Sequence, residues 1–516
     1  MSDRQLKTAL IDAVWRVADR LEFVRSATIA GSFSRGEGLE GIADIDTIVI
    51  VDSLDRARFA EIQEAFRAEL EPILAGRLFA LRINPTLGPL KFNDPRTAVL
   101  HLMIYTAEGH REHAIQSPFT CLDWQRSPLW RKSELRGVYP VFGLQPHHFL
   151  SARRGARDYL RDLRSDAVSY REIDFRDDGP RQIVRSKQMT SRDRHEFGYH
   201  VMRFVMQNFL KLVTRSNEVV EGDELLSAYF ARFREGAGVF GPLYCELMRR
   251  KQEGRFKPPV PELFDEVSAF VTAFEEQFRD VFERRAVRHV VFRHAPTELS
   301  EGTGEARIFL GRKDPIISAT QTEKLWDTLN ALAEKVAARP PESVYCSEKR
   351  RAIGSVNMVR HRLISYRPDK PLPSGVPQAS VDSRLNEMDY GACEGLTVAA
   401  ARELYPELFA AWQRGEDPHF PAGGENTAEV WERLWDFAQE RWAPGDGPSL
   451  VCTHNVVLRC LVGHLLGVPQ REWYRLRIPH LAPVTVVSTD KFGLFVDLQE
   501  NVEREIFADF FAGGEE

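Results

Sequence analysis

The 516-residue chain is too long for a single hydrophobic core, so two or three domains are expected. With 43% hydrophobic and 28% charged residues it has the balance of a soluble globular protein, and its formal net charge of −6 gives no electrostatic case for nucleic acid, which needs a concentrated basic face. Six scattered cysteines (Cys121, Cys245, Cys346, Cys393, Cys452, Cys460) without a CxxC pair suit a reducing cytoplasm. No stretch has the length and apolarity of a bilayer span, and Met1 to Arg20 lacks the apolar core of a signal peptide.

In chain order, Leu6, Leu10, Val14, Val17 and Leu21 recur at helical spacing and predict an opening amphipathic helix. Ser26 to Ala30 reads as a short buried strand running into Gly31-Ser32, and Ile42 to Asp52 as a central strand. Leu78 to Ile83 and Val99 to Tyr105 are further strand candidates. From Pro146 to about Arg285 the pattern predicts mainly helix. There Phe270, Phe274, Phe278 and Phe282 form a packing seam, Arg153, Arg154, Arg157, Arg161 and Arg164 a solvated face, and His195-Glu196 with His200 has one residue too many for a zinc HExxH. A new α/β pattern starts near Val287. Strand Val290 to Phe292 ends at Arg293-His294, helix Gln321 to Ala337 leads to strand Ser343 to Cys346, and after the helical stretch Ala399 to Arg441 strand Ser449 to Thr453 ends at His454. Strands alternating with helices imply a mostly parallel sheet with ligands at the strand C-terminal ends, where both histidines fall.

Two sets of residues carry chemistry. Asp44 and Asp46, at alternate positions of one strand, point the same way and suit Mg²⁺, which takes hard oxygen ligands and draws charge off a triphosphate. Upstream, the Gly31-Ser32 turn lets backbone amides and the Ser32 hydroxyl approach phosphate, and Arg35 adds a positive group. These residues, GSFSRGEG followed by ADIDTIVIVD, resemble the DNA polymerase β-type nucleotidyltransferases, most closely the minimal and small-molecule members. The resemblance implies a nucleotide site at Gly31, Ser32 and Arg35 and Mg²⁺ at Asp44 and Asp46. The family's third carboxylate is missing: its strand offers His101, flanked by Asp94 and Glu108, so His101 is the base or metal partner, the acid lies elsewhere, or the site is impaired.

Residues 287–500 resemble the histidine phosphatases, the phosphoglycerate mutase-like superfamily, in VFRH, YCSEKRRA, RLNE before YG and EG, and VCTH. The resemblance implies His294 as phosphoryl acceptor, Arg293 and Arg351 as phosphate ligands, Glu387 as proton donor and His454 as the second pocket histidine, with no cofactor. Ala295 and Asn455 replace the usual glycines after the two histidines, and Ser300 stands where an asparagine often contacts phosphate. The span from Glu387 to His454 is compact, as in phosphatase members, so water is the expected acceptor.

The chain is thus read as an α/β multidomain protein. A nucleotidyltransferase domain covers 1–145, a helical accessory domain 146–286, a three-layer α/β/α histidine phosphatase domain 287–500 and a tail 501–516. The expected protein is a cytoplasmic bifunctional enzyme whose partners are an NTP and a small phosphorylated metabolite, with no nucleic acid and no membrane. The alternatives are a phosphatase regulated by an impaired nucleotide-binding domain, or nucleotidyl transfer to protein or RNA.

Overall fold

The computed structural model describes residues 2–511 except 37, 40–43, 78, 91, 93–95, 152–154, 178, 217, 254–261, 301–303 and 367–375. The chain forms two compact units, one of Met1–Leu144, His148–Gln277 and Phe510–Glu516, the other of Gln145–His147 and Phe278–Asp509. No helix among the described residues is long and apolar enough to cross a membrane.

The first unit opens with helix α1 (Asp3–Arg20), started by a capping box in which Ser2 and Gln5 satisfy each other's backbone amides. Its Leu6, Leu10, Val14 and Val17 are buried against a five-stranded sheet and helix α2 (Arg56–Ala75). The strands are β1 (Val24–Ala30), β2 (Asp44–Val51), β3 (Ala80–Asn84), β4 (Thr97–Thr106) and β5 (Trp130–Arg131), in the order β3-β4-β2-β1-β5. β2 pairs parallel with β4 and antiparallel with β1. From Thr47 to Val51 β2 is fully buried, and only its first turn of residues, Asp44 and Asp46, faces outward; residues 42 and 43 lie outside the described set.

The region from Pro146 to Arg285 is not all helix. Strands β6 (Ala167–Arg176) and β7 (Gly179–Gln188) form an antiparallel hairpin, with Gly179 at φ 114° closing its turn. Most of the hairpin is exposed or half-buried, so its strands lack the clean apolar alternation that marks a strand in sequence. Helix α3 (Ser191–Thr214) then supplies much of the aromatic core: Phe209 lies 5.9 Å from Phe274 and 4.4 Å from Phe233. Phe278 and Phe282 stack at 4.4 Å within the second unit.

The second unit is built on six strands: β8 (Val287–Arg293), β9 (Ser343–Cys346), β10 (Ala379–Val381), β11 (Ser449–Thr453), β12 (Pro483–Thr489) and β13 (Gly493–Asp497). Their order is β10-β9-β11-β8-β12-β13, parallel from β10 to β8 and antiparallel beyond. Val290, Phe292, Val344, Cys346, Leu450 and Cys452 form one core with helix Trp326–Ala338 and helix α4 (Arg350–Tyr366). Val291 and Val451, pointing the other way, are equally buried, as in a sheet covered on both faces. The expected helix from Gln321 is two, Ala319–Glu323 and Trp326–Ala338, and the stretch from Ala399 to Arg441 is three, Val398–Leu404, Pro406–Gln413 and Thr427–Arg441. Pro406 begins the second of these, where it cannot continue the first.

Phe292 is wholly buried one residue before Arg293. Phe292→Ala should cost about 3–5 kcal/mol, read as a lowered urea midpoint of the second unit.

Candidate functional site

In the second unit, Arg293 closes β8 and His294 follows it, while Thr453 closes β11 and His454 follows. The parallel register sets Thr453 beside Arg293, and the His294 amide donates to the Thr453 carbonyl at 3.0 Å. The two imidazole rings therefore lie 5.0 Å apart. Their tautomers follow from their partners. His294 Nδ1 is 2.7 Å from the Ala295 carbonyl, so it carries the hydrogen and Nε2 keeps its lone pair. Ser347 Oγ accepts from the Lys349 amide and lies 2.6 Å from His454 Nε2; as donor to that nitrogen it leaves the N–H on Nδ1. That Nδ1, like Arg293 Nε, is buried with no hydrogen-bond partner among the described residues. Both are donors suited to phosphoryl oxygens.

Arg351 is 2% exposed and donates to the carbonyl groups of Lys313, at 2.6 Å, and Leu310, at 3.3 Å. Its own carbonyl accepts from Ser355 Oγ, which in turn accepts from the Ala295 amide, so α4 braces the loop that carries His294. Glu387 is buried at the N-terminus of helix α5 (Asn455–Leu466). Oε1 accepts from the Met388 and Val456 amides and Oε2 from the Asn455 amide at 3.1 Å. The Val456 amide also approaches Oε2, at 3.4 Å. Close packing shapes the wall: at Gly391, φ 51°, a Cβ would meet the Pro421 carbonyl at 1.9 Å.

Arg293, His294, Arg351, Glu387 and His454 are thus gathered at one end of the sheet. Burial, aided by neighbouring positive charge, holds His294 and His454 well below the ordinary histidine pKa of 6.5 and lowers Arg293 to about 10. Three participants were not singled out from the sequence. Ser347 and Ser355 orient the histidine and arginine loops. His480 bridges to Arg293 through the backbone and donates from Nδ1 to the His294 carbonyl at 2.6 Å. Ser300 Oγ is engaged by the Thr297 amide at 2.9 Å.

In the first unit, Gly31 has φ 71° and lies so close over Asp46 that a Cβ would stand 2.2 Å from Oδ2. Ser32 to Ser34 form a single 3₁₀ turn, and buried Lys7 donates to the carbonyls of Arg35 and Gly36, both at 2.8 Å. Ser32 is exposed, whereas Arg35 is 3.0 Å from Glu221. Asp46 Oδ1 is 3.0 Å from His101 Nδ1, and His101 Nε2 donates to the Thr86 carbonyl at 2.8 Å. Burial lowers the His101 pKa, but Asp46, the Thr86 carbonyl and Asp44 outweigh it and raise the net value. Glu108 lies in the first turn of the helix after β4, seven positions beyond His101 and paired with Arg111, and Asp94 lies outside the described residues. Mg²⁺ held by one or two carboxylates takes its other ligands from water and phosphate, and the Asp44–Asp46 pair fits that mode. No cluster of three or more His, Cys, Asp or Glu forms a metal cage among the described residues.

Comparison with known proteins bears on the second unit. Residues 290–501 match the model of the histidine phosphatase superfamily (branch 1), so the C-terminal domain is a histidine phosphatase domain. Fructose-2,6-bisphosphatase of Saccharomyces cerevisiae is 34% identical over 95 residues, 18% of this chain and 21% of that protein. Phosphoserine phosphatase 1 of Hydrogenobacter thermophilus is 33% identical over 96 residues, 18% of this chain and 44% of that protein. The chain spans less than half the length of these relatives. A solved structure described as mycobacterial hydrolase 1 is 24% identical, with 42% of this chain and 98% of that one covered and a TM-score of 0.34.

Burial also lowers His480 and His289 to about 3 and His110 to about 4. With His294 and His454, these groups take up protons on unfolding but not in the native state. Stability should hold above about pH 6.5 and fall steadily as pH drops towards about 5, measured as the urea midpoint across that range.

Proposed function

We propose that the C-terminal domain hydrolyses phosphomonoesters through a phosphohistidine. The observation that carries this reading is the His294 geometry, with Nε2 free and neutral beside buried, unpartnered donors on His454 and Arg293. His294 Nε2 attacks phosphorus, the ester P–O bond breaks, and Glu387 gives its proton to the departing alkoxide. Arg293, Arg351 and the His454 N–H hold the equatorial oxygens as charge builds. Water then attacks the phosphohistidine, its proton passes to the Glu387 carboxylate, and inorganic phosphate leaves with His294 restored. The arginines supply the positive charge, so no metal is required. The pocket's protein charge is positive, which suits a small phosphorylated metabolite.

His294→Ala should lower turnover of phenyl phosphate by about three orders of magnitude or more, and brief exposure of wild type to labelled substrate should leave acid-labile label that this variant lacks. Activity lost to chelators yet normal in His294→Ala would overturn the mechanism.

For the N-terminal unit the reading is nucleotidyl transfer to a small-molecule acceptor in the cytoplasm. Its support is the pairing of the glycine turn at Gly31 with Asp44 and Asp46, a carboxylate pair on one strand face. Mg²⁺ bound there would neutralise charge on the triphosphate. Ser32 and the turn amides would bind phosphate, and Asp44 and Asp46 would orient the metal side of the nucleotide. A second reading, a nucleotide-binding unit without transfer that regulates the phosphatase, is favoured by His101, an imidazole engaging Asp46 where the family has an acid. Asp46→Asn should abolish Mg²⁺-dependent transfer from NTPs, assayed by mass spectrometry with a panel of acceptors. Nucleotide binding by wild type without any transfer would select the regulatory reading.

A further inference from the structure

The hairpin of β6 and β7 is fixed to the first unit at several points. Leu87 and Arg171 exchange amide–carbonyl hydrogen bonds of 2.8 Å, the Phe175 ring packs 5.2 Å from Phe59, and Arg56 donates to the Phe175 carbonyl at 3.2 Å. Between this hairpin and the helix Ala107–Gln116 lies a cleft of about 440 Å³, a volume typical of small-molecule sites. Its floor includes Tyr105 and His113, buried rings stacked at 5.3 Å. The hairpin side carries Arg171, Arg181 and Gln182, and the helix side Glu108 and Glu112. Register explains the first set: Ile173 pairs with Gln182, so Arg171 and Gln182 share one face, and Arg171 Nη1 donates to Gln182 Oε1 at 3.0 Å. Glu108 and Glu112, four residues apart, share one face of the helix. Glu108 is paired with Arg111. Among the described residues Arg171 meets no carboxylate and Glu112 forms no ion pair. β2 and β4 run parallel, with Asp46 beside His101 and Val51 beside Thr106, which lines the cleft. Five residues of strand, about 17 Å, therefore separate the cleft from Asp46.

A cation and an anion fixed on opposite walls, and not paired with each other, make a potential that changes sign across the cleft. A ligand with a single charge satisfies one wall only. A ligand with an oxyanion at one end and an ammonium at the other satisfies both, through charge-assisted hydrogen bonds at each. We propose that this cleft binds a small zwitterion, its oxyanion on Arg171 and Gln182 and its ammonium on Glu112 and Glu108. Gln182 Oε1 is taken by Arg171, which leaves the Nε2 hydrogens for the oxyanion. Ile173 and Pro180 add apolar surface for the carbon chain between the charges. A guanidinium fork matches carboxylate and phosphate alike, so an amino acid and an aminoalkyl phosphate present the same chemistry. The inference rests on neither activity proposed above, and the cleft is too far from Asp46 for its ligand to react there.

The test titrates the full chain calorimetrically with the α-amino acids and phosphoethanolamine, and with acetate and ethanolamine, which carry one of the two charges each. At least one zwitterion should bind about tenfold or more tightly than either single-charge control, the worth of one added charge-assisted hydrogen bond. Binding by amino acids alone assigns a carboxylate to Arg171, and by phosphoethanolamine alone a phosphate. Arg171→Gln and Glu112→Gln should each weaken that binding by about tenfold or more, whereas Asp46→Asn should leave it unchanged. Glu112 is exposed, so Glu112→Gln keeps the test intact if Arg171→Gln fails to fold by circular dichroism. No binding by any zwitterion, affinity no better than that of the controls, or binding undiminished in the folded variants overturns the proposal. Binding lost in Asp46→Asn does so too, since it puts the ligand at the other end of the strand.

Discussion

The hydrogen bond from the His294 amide to the Thr453 carbonyl joins the ends of two parallel strands, and the geometry of the C-terminal site depends on it. Parallel pairing brings the same ends of β8 and β11 together, so the residue after each strand emerges at one place. An antiparallel pairing would have sent the two histidines to opposite edges. On the other side of β8 the antiparallel strand β12 starts at Pro483, and the chain entering it carries His480 back beside Arg293. One central strand thereby collects three imidazoles from segments far apart in sequence.

Burial then decides what those imidazoles can do. Removed from water and surrounded by guanidinium groups, His294 and His454 stay uncharged, and neighbouring hydrogen bonds fix which nitrogen bears the proton. The result is an imidazole nitrogen with a free lone pair on His294 beside a buried ring nitrogen of His454 that meets no partner among the described residues. Arg293 donates to the Ile478 carbonyl, whereas Arg351 donates to the Lys313 and Leu310 carbonyls and is also paired with the Asp314 carboxylate at 3.4 Å.

The N-terminal unit has the opposite polarity. There two carboxylates leave the start of a buried strand, and the tight backbone at Gly31 comes down over one of them. An imidazole with a raised pKa occupies the flank, so the site carries less negative charge than three acids would give. A centre of this kind attracts cations, whereas the C-terminal pocket attracts anions. The two units thus carry clusters built on inverse electrostatic plans, carboxylates in one and guanidinium groups in the other.

The central strands and the residues at their ends were legible in the chain itself. A doubly covered strand is a continuous apolar run, and a motif directly after it, as at Arg293-His294 and Thr453-His454, inherits its position from the strand. Asp44 and Asp46 were legible for the same reason, since strand alternation puts both on one face. The hairpin of β6 and β7 was not, because its largely exposed strands carry little apolar periodicity. Nor were the Ser347–His454 bond, the place of His480 or the Asp46–His101 pair. Each depends on which distant segments become neighbours. An arginine reads the same in sequence whether a carboxylate faces it or not, and only strand register and loop packing determine which partner it meets.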